Sequence, residues 1–109
     1  MPKNPNKYLF DILDSILLIQ HYLHEVGGWE ELEENFEKVD ALQRRFSIIG
    51  EAAYRLQKMG MKLLHSDWVI NLRNTLVHQY DEVGVDTLWF RAKEDLPPLL
   101  NEVKQKLKK

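Results

Sequence analysis

The sequence predicts an all-α fold: an antiparallel four-helix bundle whose last helix is interrupted by a proline pair. Three observations predict it. Apolar residues recur at spacings of three and four in four separate stretches, and no stretch shows the period-two alternation of a strand. A chain of 109 residues supplies one modest core and no more. Hydrophobic residues make up 44% and charged residues 29%, ordinary proportions for a globular protein. With no repeat or low-complexity linker, residues 1–109 read as a single domain.

The first helix is expected from about Lys7 to Val26. Ile12, Ile16, Ile19, Leu23 and Val26 form one stripe and Leu9, Leu13 and Leu17 a second beside it, a face wide enough for more than one neighbour. Gly27-Gly28 is expected to close it in the left-handed conformation that glycine tolerates. The acidic connector from Glu30 to Asn35 has room for a short helical turn. In the second helix Val39, Leu42, Phe46, Ile49, Ala53 and Leu56 make the seam of an antiparallel bundle. Gly50, Ala52 and Ala53 are small enough to let another helix approach closely, and the pattern fades near Met59-Gly60.

Ser66 is placed to cap a third helix running roughly from Asp67 to Tyr80, with Trp68, Leu72, Leu76 and Val77 as its apolar content. Asp81 to Gly84 reads as a turn. The fourth helix starts near Asp86 and carries Leu88, Ala92 and Leu96, then Leu99, Leu100, Val103 and Leu107. Pro97-Pro98 removes two backbone donors in its middle, so a break is expected there, with a proline opening the final segment. The basic end, Lys104 to Lys109, suits a helix C-terminus. Trp29, Trp68 and Trp89 read as core or interface aromatics.

Composition removes several classes of chemistry. The chain has no cysteine, which excludes disulfides, thiolate metal sites and cysteine nucleophiles. Its formal net charge of −2 gives no global basic field, so any nucleic-acid contact must be local. No apolar run reaches membrane-spanning length, and Met1 to Asn6 lacks a signal peptide's apolar centre, so the expected location is the cytoplasm with no membrane partner. His21, His24 and Glu25 share part of a helix face, but such a trio on a surface helix reads as solvated rather than metal-binding. No carboxylate cluster suggests a magnesium nuclease. No cofactor is implied.

The stretch that stands out is Arg73-Asn74-Thr75-Leu76-Val77-His78-Gln79-Tyr80. On a helix that turns about 100° per residue, Asn74 and His78 lie about 40° apart and Arg73 and Tyr80 about 20° apart, whereas Arg73 and His78 diverge by about 140°. One helix does not aim Arg73 and His78 at one atom; two copies facing each other can. Two readings fit the cluster. Asn74 and His78 can be ordinary interhelical hydrogen-bonding groups, which is the usual role of such residues on a bundle helix, or the polar groups can be a working site, a reading that their clustering in one apolar segment raises only modestly.

Arg-Asn-x-x-x-His-x-Tyr on the third helix of a bundle resembles the signature of the HEPN superfamily, and within it the HepT-type toxins of toxin–antitoxin pairs. The likeness extends beyond the motif. Tyr8-Leu9-x-Asp11-Ile12-Leu13-Asp14-x-Ile16, Ile48-Ile49-Gly50-Glu51-Ala52-Ala53, Trp68 and Asp95-Leu96-Pro97-x-Leu99 occur in the family's order. The resemblance implies a metal-independent endoribonuclease that works as a homodimer and leaves a 2′,3′-cyclic phosphate. In that role His78 is the acid–base group, since an ordinary imidazole titrates near neutrality. Arg73 presents a permanently charged planar fork to phosphate oxygens. Asn74 orients the imidazole or donates to phosphate. Glu51 could hydrogen-bond Arg73 or His78, or form a structural salt bridge, and Arg44 and Arg45 could extend a phosphate track or simply be solvated.

The resemblance also implies a partner, a minimal nucleotidyltransferase antitoxin that attaches AMP to the tyrosine two residues after the histidine, here Tyr80. The added phosphate and bulk would block the RNA site. Otherwise Tyr80 packs across the helix end. The alternative function, from a different class, is a non-catalytic nucleotide- or substrate-binding partner of such a nucleotidyltransferase; weaker still is a scaffold dimer. Arg73, His78 and Tyr80 together favour the nuclease, because a pure binding module has no need of all three.

Overall fold

An asparagine opens each of the two longest helices. Asn4 accepts the Asn6 amide at 2.9 Å with Pro5 in the first turn, and Asn35 accepts the Lys38 amide at 3.1 Å. Both side chains satisfy an amide that the first helical turn leaves unpaired. The computed structural model describes residues 4–108; Met1, Pro2, Lys3 and the last residue of the basic tail, Lys109, lie outside the described residues.

Regular structure among the described residues is helical: α1 (Pro5–Leu23), α2 (Trp29–Glu33), α3 (Phe36–Lys58), α4 (Asp67–His78), α5 (Val85–Phe90) and α6 (Leu96–Leu107). A 3-10 turn, Tyr80–Glu82, follows α4, and a π-helical turn, Arg91–Asp95, joins α5 to α6. Helix α3 is the centre of the bundle. It packs against α1 and α4 on its flanks and meets α2 and α5, while α6 covers α1 and α2 covers α5. Leu9, Ile12, Ile16, Ile19, Leu42, Phe46, Ile49, Leu56, Leu88, Leu96, Leu99 and Val103 are fully enclosed in one continuous core. Each such side chain contributes about 1.5–3 kcal/mol of burial free energy.

The four expected helical stretches are present, with corrections at their ends. Helix α1 stops at Leu23, before Val26, and neither Gly27 nor Gly28 is left-handed. The single left-handed glycine among the described residues is Gly60, with φ of 86°, after α3. There the Met61 amide bonds the Leu56 carbonyl at 2.9 Å and the Gly60 amide that of Gln57 at 3.1 Å, the paired closure that needs positive φ. On α1, Leu17 is exposed and Leu13 half-buried, so the second stripe is buried only at Leu9. The acidic connector holds α2, whose Leu32 is wholly buried and anchors it.

Helix α4 ends at His78. Gln79 leaves helical conformation (φ −146°, ψ 53°), so Tyr80 lies in the 3-10 turn and the 20° relation expected between Arg73 and Tyr80 does not hold. From 77 to 82 every residue is exposed, and nothing apolar there turns inward to prolong the helix. The buried apolar residues of α4 are Val69, Leu72 and Leu76; Val77 is exposed. Ser66 stands at the cap position, but its buried hydroxyl donates to the Leu63 carbonyl at 2.9 Å instead of capping.

The interruption of the last helix takes the form of the π-helical turn, just upstream of Pro97 and Pro98. The Leu96 amide reaches back to the Arg91 carbonyl, five residues away. This wider turn lets the chain pass two residues that donate no amide while keeping Ala92 and Leu96 on the core side.

Candidate functional site

The site is assembled where α4 crosses α3 at a residue without a side chain. A Cβ on Gly50 would collide with the Arg73 Cβ and stand 2.6 Å from the Val69 carbonyl oxygen. Gly50 is buried, and its bare backbone is what allows α4 to approach so closely. One residue further along α3, Glu51 meets Arg73 at 2.9 Å (Oε1 to Nη2). The other Glu51 oxygen accepts Arg55 Nε at 2.7 Å across one turn of α3. The hydrogen bond that Arg55 donates to Glu51, then the carboxylate's charge, pushes the Arg55 guanidinium above its ordinary pKa. Arg73 Nη1 also donates to Asn74 Oδ1 at 3.1 Å. Two of Arg73's nitrogens are therefore fixed from two directions, which orients its fork.

Beside this cluster lies an open groove of about 610 Å³. Lys7, Tyr8 and Asp11 of α1 form one wall, Arg73 and Val77 of α4 the other, and α3 the floor through Arg44, Ile48, Glu51, Ala52 and Arg55. Arg45 does not line it.

The residues expected in the site divide into two groups. Arg73, Asn74 and Glu51 are brought together by direct contacts. His78 is exposed at the C-terminal end of α4 and does not line the groove, as the large angular separation from Arg73 requires. Asn74 is exposed with it, whereas exposed Val77 lies on the groove side beside Arg73 and half-buried Ile70 packs against the core. Tyr80 is 65% exposed, with its ring in the 3-10 turn beyond His78. Arg55 was not among the expected residues, although the Glu51–Arg55 spacing of four is a readable helical ion-pair signal.

His21, His24 and Glu25 line a small hollow of about 280 Å³ together with Tyr22 and Lys38. Among the described residues no group of three or more side chains is arranged to hold a metal ion, and the Lys38 ammonium opposes one at this hollow. No helix among the described residues is long and apolar enough to cross a membrane.

The chain is similar to a Methanocaldococcus jannaschii protein named "Gamma-glutamylcyclotransferase and putative RNase", 33% identical over 106 residues; the match covers 94% of this chain but 47% of that longer relative. Two further proteins of the same organism, each named "Putative RNase", are 31% identical over 99 residues and 30% identical over 112 residues. Those matches cover 88% and 99% of this chain and 90% and 96% of the relatives. No solved structure matches the chain at a significant level. The family model described as "Ribonuclease HepT-like" matches residues 12–106. Running from the third turn of α1 to the last turn of α6, that match makes this chain a member of the HepT-like ribonuclease family.

Proposed function

We propose that the chain is an endoribonuclease that needs no metal ion and works as a homodimer, with Arg73 and His78 at the cleft between two copies of α4. The observation that carries this reading is the split of the motif. Arg73 is held by Glu51 and Asn74 at the wall of a cationic groove, while His78 stands uncovered on another side of the same helix. A second copy of α4 facing the first would bring one chain's His78 towards the other's Arg73. Family membership and the names of the relatives support the reaction class.

The residues suit transesterification of RNA. The ribose 2′-oxygen attacks phosphorus and loses its proton to a base. The bond to the 5′-oxygen breaks, that oxygen takes up a proton, and the product is a 2′,3′-cyclic phosphate. His78 moves the proton, and Arg73 stabilises the charge that builds on the phosphorane oxygens. Asn74, one turn before His78 and already bonded to Arg73, keeps the guanidinium aimed.

Tyr80 is the control point in this reading. Its exposed ring lets a nucleotidyltransferase bring ATP alongside. The phenolic oxygen then bonds the α-phosphorus, pyrophosphate leaves and the phenolic proton is released. The resulting phosphodiester places negative charge beside the site and occludes it. The partnership with an antitoxin of this kind belongs to the proposal.

The test is cleavage of RNA by the purified protein in EDTA. Cleavage should persist in the wild type and fall by about 10²–10⁴-fold in His78→Ala and Arg73→Ala. Cleavage that survives both substitutions, or an active protein whose solution mass is strictly monomeric, overturns the composite site. Mass spectrometry after co-expression with a minimal nucleotidyltransferase should find AMP on Tyr80, and an inhibited complex with Tyr80 unmodified removes that part.

A further inference from the structure

The groove beside Arg73 holds more positive charge than its own carboxylates neutralise. Lys7, Arg44, Arg55 and Arg73 face Asp11 and Glu51 there; four cations less two carboxylates leave an excess of two, on a chain whose formal net charge is −2. Both carboxylates are already engaged. Asp11 takes Lys7 at 3.0 Å, and Glu51 divides one negative charge between Arg55 and Arg73. Arg44 is exposed and has no ion-pair partner among the described residues.

The layout is linear. Arg44 and Arg55 are eleven residues apart on α3, which places them about 20° apart around the helix and about 16 Å apart along it. Arg73 reaches in from α4 between the level of Glu51 and the outer face that carries His78. The apolar surface between the cations comes from Ile48, Ala52 and Val77, with the half-buried Tyr8 ring on the α1 wall. A row of cations over a partly apolar floor fits a sugar–phosphate strand with bases laid against it. One phosphate group would leave most of the row unused. A second copy of the same groove would set like charges against each other.

We infer that this groove is the track for single-stranded RNA flanking the cleaved bond, with Arg44 and Arg55 as phosphate-binding residues that lead the strand to Arg73. This rests on the ribonuclease reading for the identity of the polyanion. Helices packed at ordinary interaxial distances on either side of α3 leave a gap of under about 10 Å, too narrow to admit a duplex. Glu51 keeps Arg55 and Arg73 extended across the floor before RNA arrives.

The experiment is fluorescence polarisation of a labelled single-stranded oligoribonucleotide, using full-length His78→Ala protein so that the probe stays intact. Arg44→Ala and Arg55→Ala are each added to it, with Lys106→Ala on exposed α6 surface as the control. Each groove substitution should weaken binding about threefold to tenfold and lower the slope of log affinity against log salt by about 0.7. Arg44→Lys should restore most of the loss, and Lys106→Ala should change neither quantity. RNA binding indifferent to both Arg44 and Arg55 overturns the track, as does equal affinity for a duplex of the same length. Wild-type cleavage measured in parallel separates the two ideas. Cleavage with binding indifferent to Arg44 and Arg55 rejects the track and leaves the nuclease standing; binding lost with those arginines but no cleavage supports the track and rejects the nuclease. Neither binding nor cleavage rejects both.

Discussion

At the scale of single residues, the site depends on what Gly50 lacks. The next residue, Glu51, reaches Arg73 only because α4 lies against bare backbone at Gly50. Gly50→Ala must push the helices apart, since one of the obstructing atoms is the Val69 carbonyl, which no rotamer change removes. The expected cost is about 1–3 kcal/mol in urea unfolding, with the Glu51–Arg73 contact loosened and RNA cleavage reduced. Unchanged stability would show that the crossing is looser than described. The close crossing was legible beforehand in the small residues at 50, 52 and 53. Which arginine of the pair Arg44-Arg45 enters the groove was not, because neighbours on a helix point about 100° apart and the floor's direction comes from packing alone. Glu51 had two possible partners in the sequence, Arg73 and His78, and the crossing at Gly50 brings Arg73 to it.

Among the elements, the bundle was readable where burial is periodic and unreadable where a distant residue sets the geometry. Apolar spacing located α1, α3, α4 and the α5–α6 stretch, because each buries one face over several turns. It could not place the end of α4, since Gln79 to Glu82 carry no inward-facing apolar residue to mark it. Glycine chemistry pointed to Gly27-Gly28, but the left-handed closure is at Gly60, where the chain turns directly out of α3. The loop before α4 is fixed by a residue with no local signal at all. Glu102 of α6 accepts the Leu64 amide at 2.6 Å and the His65 amide at 3.0 Å, across more than thirty residues of sequence. Glu102→Ala should free both amides, destabilise the fold by about 1 kcal/mol and speed hydrogen exchange at Leu64 and His65. Protection unchanged at these two amides would mean that the clamp contributes nothing.

For the molecule as a whole, the arrangement is asymmetric. The central helix α3 has neighbours on both flanks, α1 is shared between α3 and α6, and α4 rests almost wholly on α3. That leaves the side of α4 carrying the exposed Asn74 and His78 without a neighbouring helix in a single chain, and it is the side on which the proposed second copy would lie. The attachments that do hold α4 are unevenly spread along it. Glu102 grips the loop before its first turn, and the Gly50 crossing pins it at Val69 and Arg73. After Leu76 no side chain is buried until the 3-10 turn has passed. Mechanically, α4 is a cantilever, clamped at its base with His78 and Tyr80 on the free end. In the isolated chain, amide exchange should therefore quicken from Val77 to Glu82 while 69–73 stay protected, and even protection along the whole helix would contradict this picture. Anything that seizes the tip, whether a second copy, an RNA strand or an adenylyl group, acts where the helix yields most and its base resists.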